Sequence, residues 1–412
     1  MKKISSLLAL LLFAASTEAQ INDGGSLPQS LSAECHCAPT SPLPLHQAPA
    51  QDWARIRSER HSSKHGLYKV GQVLPLRISN QDATAGNTTQ TATGRVWRSR
   101  LRSEGAVGLS LYFSDFYLPE GATLHIYSAN GRHRIGGFGA HNNQANRSFA
   151  TEIVYGEEII VEYFEPNNAP FNGTFTIDGV GHIFEGTRPA FAQDAPQQNS
   201  NARDFGDSES CEVNVNCSEG NGRTGQRDAV ARILVKVGSD LGWCSGAVVN
   251  NTAQDCTPYF LTAMHCGTTG TGALTSAADI NQWIFYFNYQ ASGCTDPLIE
   301  PIGNTITGGT VSAHSNDGGG DTGSDFLLLE LSSTPPTLYN VFYAGWNRNN
   351  TAPAGGYGIH HPAGDIKKIS TYDTNTSSGA WGTAIGSHWN VEWIATANGT
   401  GSASANSLIM TG

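Results

Sequence analysis

Short runs of apolar or alternating residues, separated by Gly, Asn and Pro, recur along this 412-residue sequence. Runs of this length and pattern are typical of β-strands. They occur in both halves of the chain, at 106–113, 123–127, 158–163, 230–237, 282–287 and 325–331. The sequence shows neither heptads nor an internal repeat. It therefore predicts an all-β fold.

Composition supports this prediction. Only 14% of the residues are charged, against roughly 25% in an average soluble domain. Gly, at 47 of 412 residues, exceeds its usual share of ~7%. A chain poor in Glu and Lys favours turn-rich β structure over helix bundles. The net charge of −11, without a basic stretch, argues against a nucleic acid or an anionic membrane as partner.

Residues 1–19 have the pattern of an export signal. Lys2 and Lys3 precede the apolar run 4–15, and small residues at Thr17 and Ala19 suit cleavage before Gln20. The alternative is a buried N-terminal helix. We expect a secreted protein, extracellular or periplasmic, without a membrane partner after signal removal. Export also permits disulfides among the eight cysteines.

The cysteines divide the chain unevenly. Cys35 and Cys37 lie near the start, whereas the other six lie between Cys211 and Cys294. Between these groups, residues 189–205 lack periodicity and are rich in Ala, Gln and Asn, which is typical of an exposed linker. The sequence predicts a β-rich segment 20–188, a linker 189–205 and a second domain 206–412. This layout suits a secreted hydrolase zymogen, and equally a two-domain adhesin.

The most specific motif lies in the second domain. Trp-Cys-Ser-Gly-Ala-Val-Val-Asn-Asn at 243–251 is followed by Tyr-Phe-Leu-Thr-Ala-Met-His-Cys-Gly at 259–267. A disulfide between Cys244 and Cys266 could hold the loop that presents His265. A general base needs such positioning, because it must stay within hydrogen-bond reach of its nucleophile. The alternative is a disulfide next to an incidental histidine.

These two segments resemble the catalytic-histidine region of chymotrypsin-like serine proteases, in particular the bacterial lysyl endopeptidases. Residues 323–331 (Gly-Ser-Asp-Phe-Leu-Leu-Leu-Glu-Leu) resemble the catalytic-aspartate strand of that family. Further motifs match in order at 343–348, 358–362 and 379–382. The resemblance covers about 206–393. It implies a chymotrypsin-type double β-barrel, which follows the pro-region, where the short alternating runs themselves predict a β-sandwich-like fold.

The resemblance also implies roles for individual residues. His265 would be the general base, and Asp325 would hold its other ring nitrogen and stabilise the imidazolium. Trp381 matches a tryptophan that stacks beside the catalytic imidazole, although a core tryptophan is an equal alternative. The triad mechanism implies no cofactor. Its partners would be protein or peptide substrates and, before processing, the chain's own pro-region.

The family pattern further implies disulfides Cys244–Cys266 and Cys217–Cys294. Cys211 and Cys256 are left over, and their pairing, like that of Cys35 and Cys37, stays open.

Two weaker metal patterns are also present. Adjacent histidines at 360 and 361 could suggest zinc, but neighbouring strand residues point to opposite faces, so structural histidines are the better interpretation. The loop 316–324 has partial calcium-loop spacing without the closing Glu, which favours a flexible loop. We predict no metal site.

The family nucleophile lies in a Gly-x-Ser-Gly segment, about a dozen residues after the strand that matches 390–393. Here neither Ser402 nor Ser404 has Gly two positions before it and Gly directly after it. By spacing, Ser404 is the nearest candidate and Ser402 is the alternative. We expect an incomplete second barrel, as in a copy truncated by a frameshift after Asn398 or Gly399.

Three functions remain open at this point. The first is a secreted serine endopeptidase that cleaves after Lys or Arg and is itself processed near Gly206. Phe205 precedes this position and Arg203 is the nearest basic residue, so Lys specificity is not established. The second is an inactive relic without a competent nucleophile. The third is a β-rich binding or adhesion module.

Overall fold

The computed structural model describes residues 27–32, 41–59, 67, 69–186, 205–320 and 322–394. Its regular structure is mostly strands with few helices, as the sequence predicts. The strands of the N-terminal region (27–186) are β1 Leu45–Gln47, β2 Lys69–Ser79, β3 Asn87–Gln90, β4 Gly94–Arg102, β5 Gly108–Tyr117, β6 Thr123–Ser128, β7 Arg134–Phe138, β8 Phe149–Ala150, β9 Val154–Tyr155, β10 Glu158–Pro166 and β11 Thr174–Ile183. Those of the C-terminal region (205–394) are β12 Val213–Asn214, β13 Val230–Val237, β14 Asp240–Val249, β15 Tyr259–Ala263, β16 Ile284–Phe287, β17 Asn304–Thr307, β18 Gly309–His314, β19 Phe326–Leu331, β20 Gly356–His360, β21 Lys368–Tyr372, β22 Ser377–Trp381 and β23 Ala384–Asn390.

The helices are short. The α-helices are α1 Trp53–Glu59, α2 Thr224–Ala229 and α3 Ala277–Ile280. The 3-10 helices are Gln29–Leu31, Ala140–Asn142, Ser218–Gly220, Met264–Gly267, Thr337–Tyr339 and Pro362–Gly364. Among the described residues, none of the helices has the length and hydropathy needed to cross a lipid bilayer.

In the N-terminal region two sheets enclose one apolar core. One sheet has the order β1-β4-β10-β6-β7, with β3 also paired to β4, and the facing strands are β2, β11 and β5. Trp97, Phe113, Tyr163 and Phe175 meet between the sheets, mostly edge to face. Alternation along the strands gives each sheet one apolar face, and burying these faces against each other drives their packing.

The C-terminal region contains a continuous antiparallel series of strands. Their order is β17-β16-β13-β14-β15-β19-β18. Trp283, Phe285, Phe260 and Leu329 are fully buried in the core of this series. The remaining strands form a three-stranded sheet, β12-β21-β20, and the hairpin β22-β23.

The two regions share a sheet. β2 pairs antiparallel with the start of β14, where Gly71 lies opposite Leu241, and this pairing joins the strands into one twelve-stranded sheet. Tyr112 and Tyr155 of the N-terminal region pack in one buried cluster with Trp243 and Tyr286 of the C-terminal region. The halves that the sequence separates by a linker are therefore packed against each other through both backbone pairing and an apolar contact. Most of that linker lies outside the described residues.

Candidate active site

His265 lies one short turn beyond the end of β15. This strand ends at Ala263 and pairs with β14. The Thr262 hydroxyl also donates to the carbonyl of Ser245, a residue of β14, at 2.8 Å. The 3-10 turn Met264–Gly267 then carries the histidine.

The Cys244–Cys266 disulfide anchors the turn to β14. The two Cα atoms lie 6.2 Å apart, and the bond spans 22 residues. Cys266 is buried directly beside His265. This is the pair that the family resemblance implied, and it limits the movement of the backbone that presents the imidazole.

Asp325 approaches the same point from the neighbouring strand. It immediately precedes β19, and β19 pairs with β15 so that Phe326 lies opposite Ala263. Asp325 Oδ2 lies 2.6 Å from His265 Nδ1, and Asp325 Oδ1 accepts the His265 backbone N–H at 2.8 Å. One carboxylate thus fixes both the ring and the main chain of the histidine.

This geometry determines which nitrogen of the neutral imidazole carries the proton. A carboxylate only accepts hydrogen bonds, so Nδ1 must donate and the lone pair stays on Nε2. The His265 side chain is 31% exposed and that of Asp325 is 16% exposed. The pair is therefore sheltered but open to an approaching hydroxyl group. It can take up a proton at Nε2 and stabilise the resulting imidazolium.

A second carboxylate, Asp317, lies behind Asp325, and the sequence did not identify it. Asp317 is 8% exposed, and its Oδ2 accepts the Asp325 backbone N–H at 2.8 Å. The sequence favoured a flexible loop at 316–324, whereas the structure packs Asp317, Gly319 and Gly320 into the protein. The available signal was the run Asp-Gly-Gly-Gly, because glycines permit a close approach of backbone to a neighbouring group.

The structure also contains the Cys217–Cys294 disulfide, which spans 77 residues. Cys256 is an exposed free thiol, so it forms no bond with Cys211. The sulfurs of Cys244 and Cys266 and a ring nitrogen of His265 lie within 4.8 Å of one another. Both sulfurs belong to the disulfide, so they are not thiolates and this group is not a metal-binding set.

His360 and His361 are buried structural groups. Burial lowers the pKa of His360 to about 4 and lowers the pKa of His361 well below its usual range. His361 Nδ1 lies 2.9 Å from the Asp365 carbonyl oxygen and donates to it. Among the described residues, neither histidine belongs to a group with metal-ligand spacing.

The other candidates cannot be placed beside His265. Ser402 and Ser404 lie outside the described residues. The backbone of Trp381 belongs to β22 and pairs with Ala384, but its side chain is not described. The structure therefore brings together two of the predicted site residues, His265 and Asp325.

A partly exposed histidine held through Nδ1 by a carboxylate has the geometry needed to take a proton from a bound group. Residues 205–410 match the family model of the lysyl endopeptidase C-terminal domain. The chain belongs to the lysyl endopeptidase family.

The chain is also similar to individual known proteins. A lysyl endopeptidase of Pseudomonas aeruginosa is 28% identical over 337 residues, which are 75% of this chain and 66% of that protein. The chain therefore spans just under two thirds of the length of this relative. Two solved structures match at a TM-score of 0.28 each. One is a thermostable serine protease from an extremophilic microorganism, with 15% identity; the match covers 43% of this chain and 83% of that chain. The other is the protease Anisep from Arthrobacter nicotinovorans, with 16% identity; the match covers 42% of this chain and 80% of that chain.

Proposed function

We propose that the chain is the precursor of a secreted serine endopeptidase that cleaves peptide bonds after a basic residue. The observation that carries this proposal is the 2.6 Å contact between His265 Nδ1 and Asp325 Oδ2 in a member of the lysyl endopeptidase family. The name of the Pseudomonas relative favours Lys over Arg as the residue before the cleaved bond. The two disulfides are consistent with an exported protein.

In the proposed mechanism His265 acts first as base and then as acid. Nε2 takes the proton of a serine hydroxyl while the serine oxygen attacks the substrate carbonyl carbon. Asp325 stabilises the imidazolium that forms. The imidazolium then gives its proton to the leaving amine, and water hydrolyses the acyl-enzyme by the same route. Ser404 is the proposed nucleophile, with Ser402 as the alternative, and Trp381 is the proposed stacking residue.

Processing would separate four segments: an export signal 1–19, a pro-region 20–188, a linker 189–205 and the protease 206–412. The start of the last segment is tied to a buried carboxylate. Asp365 Oδ1 accepts the Gly206 N–H at 2.8 Å, and Asp365 Oδ2 accepts from the N–H and hydroxyl of Ser208. Cleavage before Gly206 would replace its amide with an ammonium group, which strengthens a hydrogen bond to a carboxylate.

A second candidate is a family member without peptidase activity. It is favoured by one sequence observation: in residues 394–412 no serine has Gly both two positions before it and directly after it. The Gly two positions before the serine matters because its backbone N–H and that of the nucleophile would form the oxyanion hole.

A fluorophosphonate probe, which reacts with activated serines, separates the two candidates. We expect the full secreted chain to hydrolyse a Lys- or Arg-p-nitroanilide and to be labelled at Ser404. Labelling should disappear in Ser404→Ala and in His265→Ala and persist in the matched variant Ser402→Ala. Labelling that is lost only in Ser402→Ala would assign the nucleophile to Ser402. A folded chain that neither hydrolyses the substrates nor reacts with the probe would refute the endopeptidase proposal.

A further inference from the structure

Asp317 uses both carboxylate oxygens within the loop that connects β18 to β19. Oδ2 accepts the Asp325 N–H at 2.8 Å. Oδ1 accepts the N–H groups of Gly319 at 3.3 Å and Gly320 at 3.1 Å. The loop therefore turns around Asp317, and its far end is tied to the residue whose carboxylate holds His265.

The two glycines pack directly on the His265–Asp325 pair. A Cβ added to Gly319 would lie 3.2 Å from His265 Cβ, and a Cβ added to Gly320 would lie 2.8 Å from Asp325 Cβ. Both residues also have positive φ, +102° and +98°, which favours glycine. The loop thus packs so closely on the pair that a Cβ would be tightly placed at Gly319 and would clash at Gly320.

Asp325 itself has a φ of 54°. This left-handed conformation is uncommon for residues other than glycine and costs of order 1–3 kcal/mol, so neighbouring contacts must maintain it. The Asp325 N–H is held by Asp317, and the Asp325 carbonyl accepts the Met264 N–H at 2.9 Å. The conformation aims the side chain at His265, where its two oxygens bind the ring and the main chain.

We propose that Asp317 is a positioning residue, which holds Asp325 in the conformation that orients His265. This inference rests on the proposed peptidase function. The hydrogen bond between His265 and Asp325, however, can be measured whether or not the chain has a working nucleophile. Burial favours the protonated form of Asp317, but hydrogen bonds from the Asp325 N–H, from Ser315 and from the two glycines outweigh it, and the pKa of Asp317 is lowered. The carboxylate is thus ionised near neutral pH and accepts at both oxygens.

The test compares Asp317→Asn with Asp317→Ala in the full chain. An amide has one acceptor oxygen and one donor nitrogen, so Asn can replace only one of the two sets of hydrogen bonds. The first readout is the low-field proton resonance of the His265 Nδ1–H group, which reports its bond to Asp325. We expect this resonance to weaken in Asp317→Asn and to vanish in Asp317→Ala. In the active enzyme kcat should fall by roughly 10- to 100-fold with KM nearly unchanged, the scale at which a small misplacement acts.

Asp279→Asn is the matched control. Asp279 is a buried carboxylate of the same region that accepts from the Gly238 N–H and the Thr275 hydroxyl. It should lower stability without changing the resonance. Gly320→Ala displaces Asp325 while Asp317 is retained, so it should reproduce the loss even where Asp317→Ala does not fold.

The resonance also separates this inference from the proposed function. A chain that never hydrolyses substrate, yet loses the resonance in the Asp317 variants, would refute the peptidase proposal and support the positioning role. Folded Asp317→Asn and Gly320→Ala variants with an unchanged resonance and unchanged kcat would overturn the positioning role.

Discussion

The N- and C-terminal regions are both β structures with aromatic cores, and one histidine from each, His182 and His265, shows two opposite environments. His182 of the N-terminal region is fully buried, stacks on Trp53 at 3.7 Å and bonds to the Ser103 hydroxyl at 2.7 Å. Burial lowers its pKa to about 3. His265 of the C-terminal region is partly exposed and bonds to a carboxylate.

Exposure and the hydrogen-bond partner distinguish a histidine that only packs from one that is able to exchange a proton. A buried ring without an acidic partner stays neutral and acts as a flat, polar core residue. A ring that stands at a strand end, with one nitrogen on a carboxylate and the other accessible, can exchange a proton with a bound group. The same type of side chain therefore packs as a neutral core group at His182, whereas at His265 its setting suits the proton transfer that we propose.

The largest expected effect comes from replacing the two histidines in turn. His265→Ala should lower kcat by more than about 10³-fold, because the base is lost, and should change stability little. His182→Ala should leave kcat of the folded protein unchanged but lower the free energy of unfolding by about 2–4 kcal/mol, because it leaves a cavity. Substrate assays and urea unfolding measure the two effects. Equal kinetic losses in both variants would contradict the distinction.

The next largest effect is expected from removing the disulfide that anchors the turn of His265. The two disulfides of the described residues both lie in the C-terminal region. Replacing Cys244 and Cys266 with Ser should destabilise that region by about 3 kcal/mol, from the entropy of closing a 22-residue loop. It should also weaken the low-field His265 resonance, because the turn is released. The longer Cys217–Cys294 link is the control, since its removal should cost at least as much stability and leave the resonance in place.

A buried side-chain hydrogen bond also links the two regions, and removing it tests how strongly they are coupled. The Tyr155 hydroxyl of the N-terminal region donates to Glu300 Oε1 of the C-terminal region at 2.9 Å in a buried position. Tyr155→Phe should lower stability by roughly 1–2 kcal/mol, the scale of a buried hydrogen bond, and should separate the unfolding of the two regions. Tyr163→Phe, which removes a bond to Glu165 within the N-terminal region, is the matched control. A single joint transition in Tyr155→Phe would show that the paired strands and the apolar cluster couple the regions without this hydrogen bond.

Local sequence patterns predicted much of the fold. The run 230–237 coincides with β13, and 325–331 contains β19 with Asp325 just before it. These strands were predictable because alternation and flanking turn residues are local signals. The pairing of β2 with β14 was not, because it joins residues far apart in the chain and leaves no local trace.

The residues of the candidate site likewise differ in whether a local sequence signal marks them. His265 and Asp325 were found through motifs, in which each residue is marked by its immediate neighbours. Asp317 was missed because its role depends on a folded loop that returns its carboxylate to the Asp325 N–H, eight positions further along the chain. An acidic residue among glycines is typical of any turn. Only the three-dimensional arrangement distinguishes a turn that holds a neighbour from one that faces solvent.

The smallest expected effect concerns Lys367, a charged residue that the C-terminal region buries completely. Its ammonium group donates to the Arg227 carbonyl at 2.7 Å, and burial lowers its pKa from 10.5 to about 7. Between these two values the unfolded chain binds more protons than the folded chain, so stability rises with pH across the window and is lost as pH falls toward 7. From pH 7 to 8 the free energy of unfolding should therefore rise by about 1 kcal/mol relative to Lys367→Met, which does not titrate. Parallel urea titrations of the two proteins measure this difference. Equal pH dependence in both would mean that Lys367 keeps its ordinary pKa in the folded chain and stays charged there, unlike His182, whose pKa burial lowers.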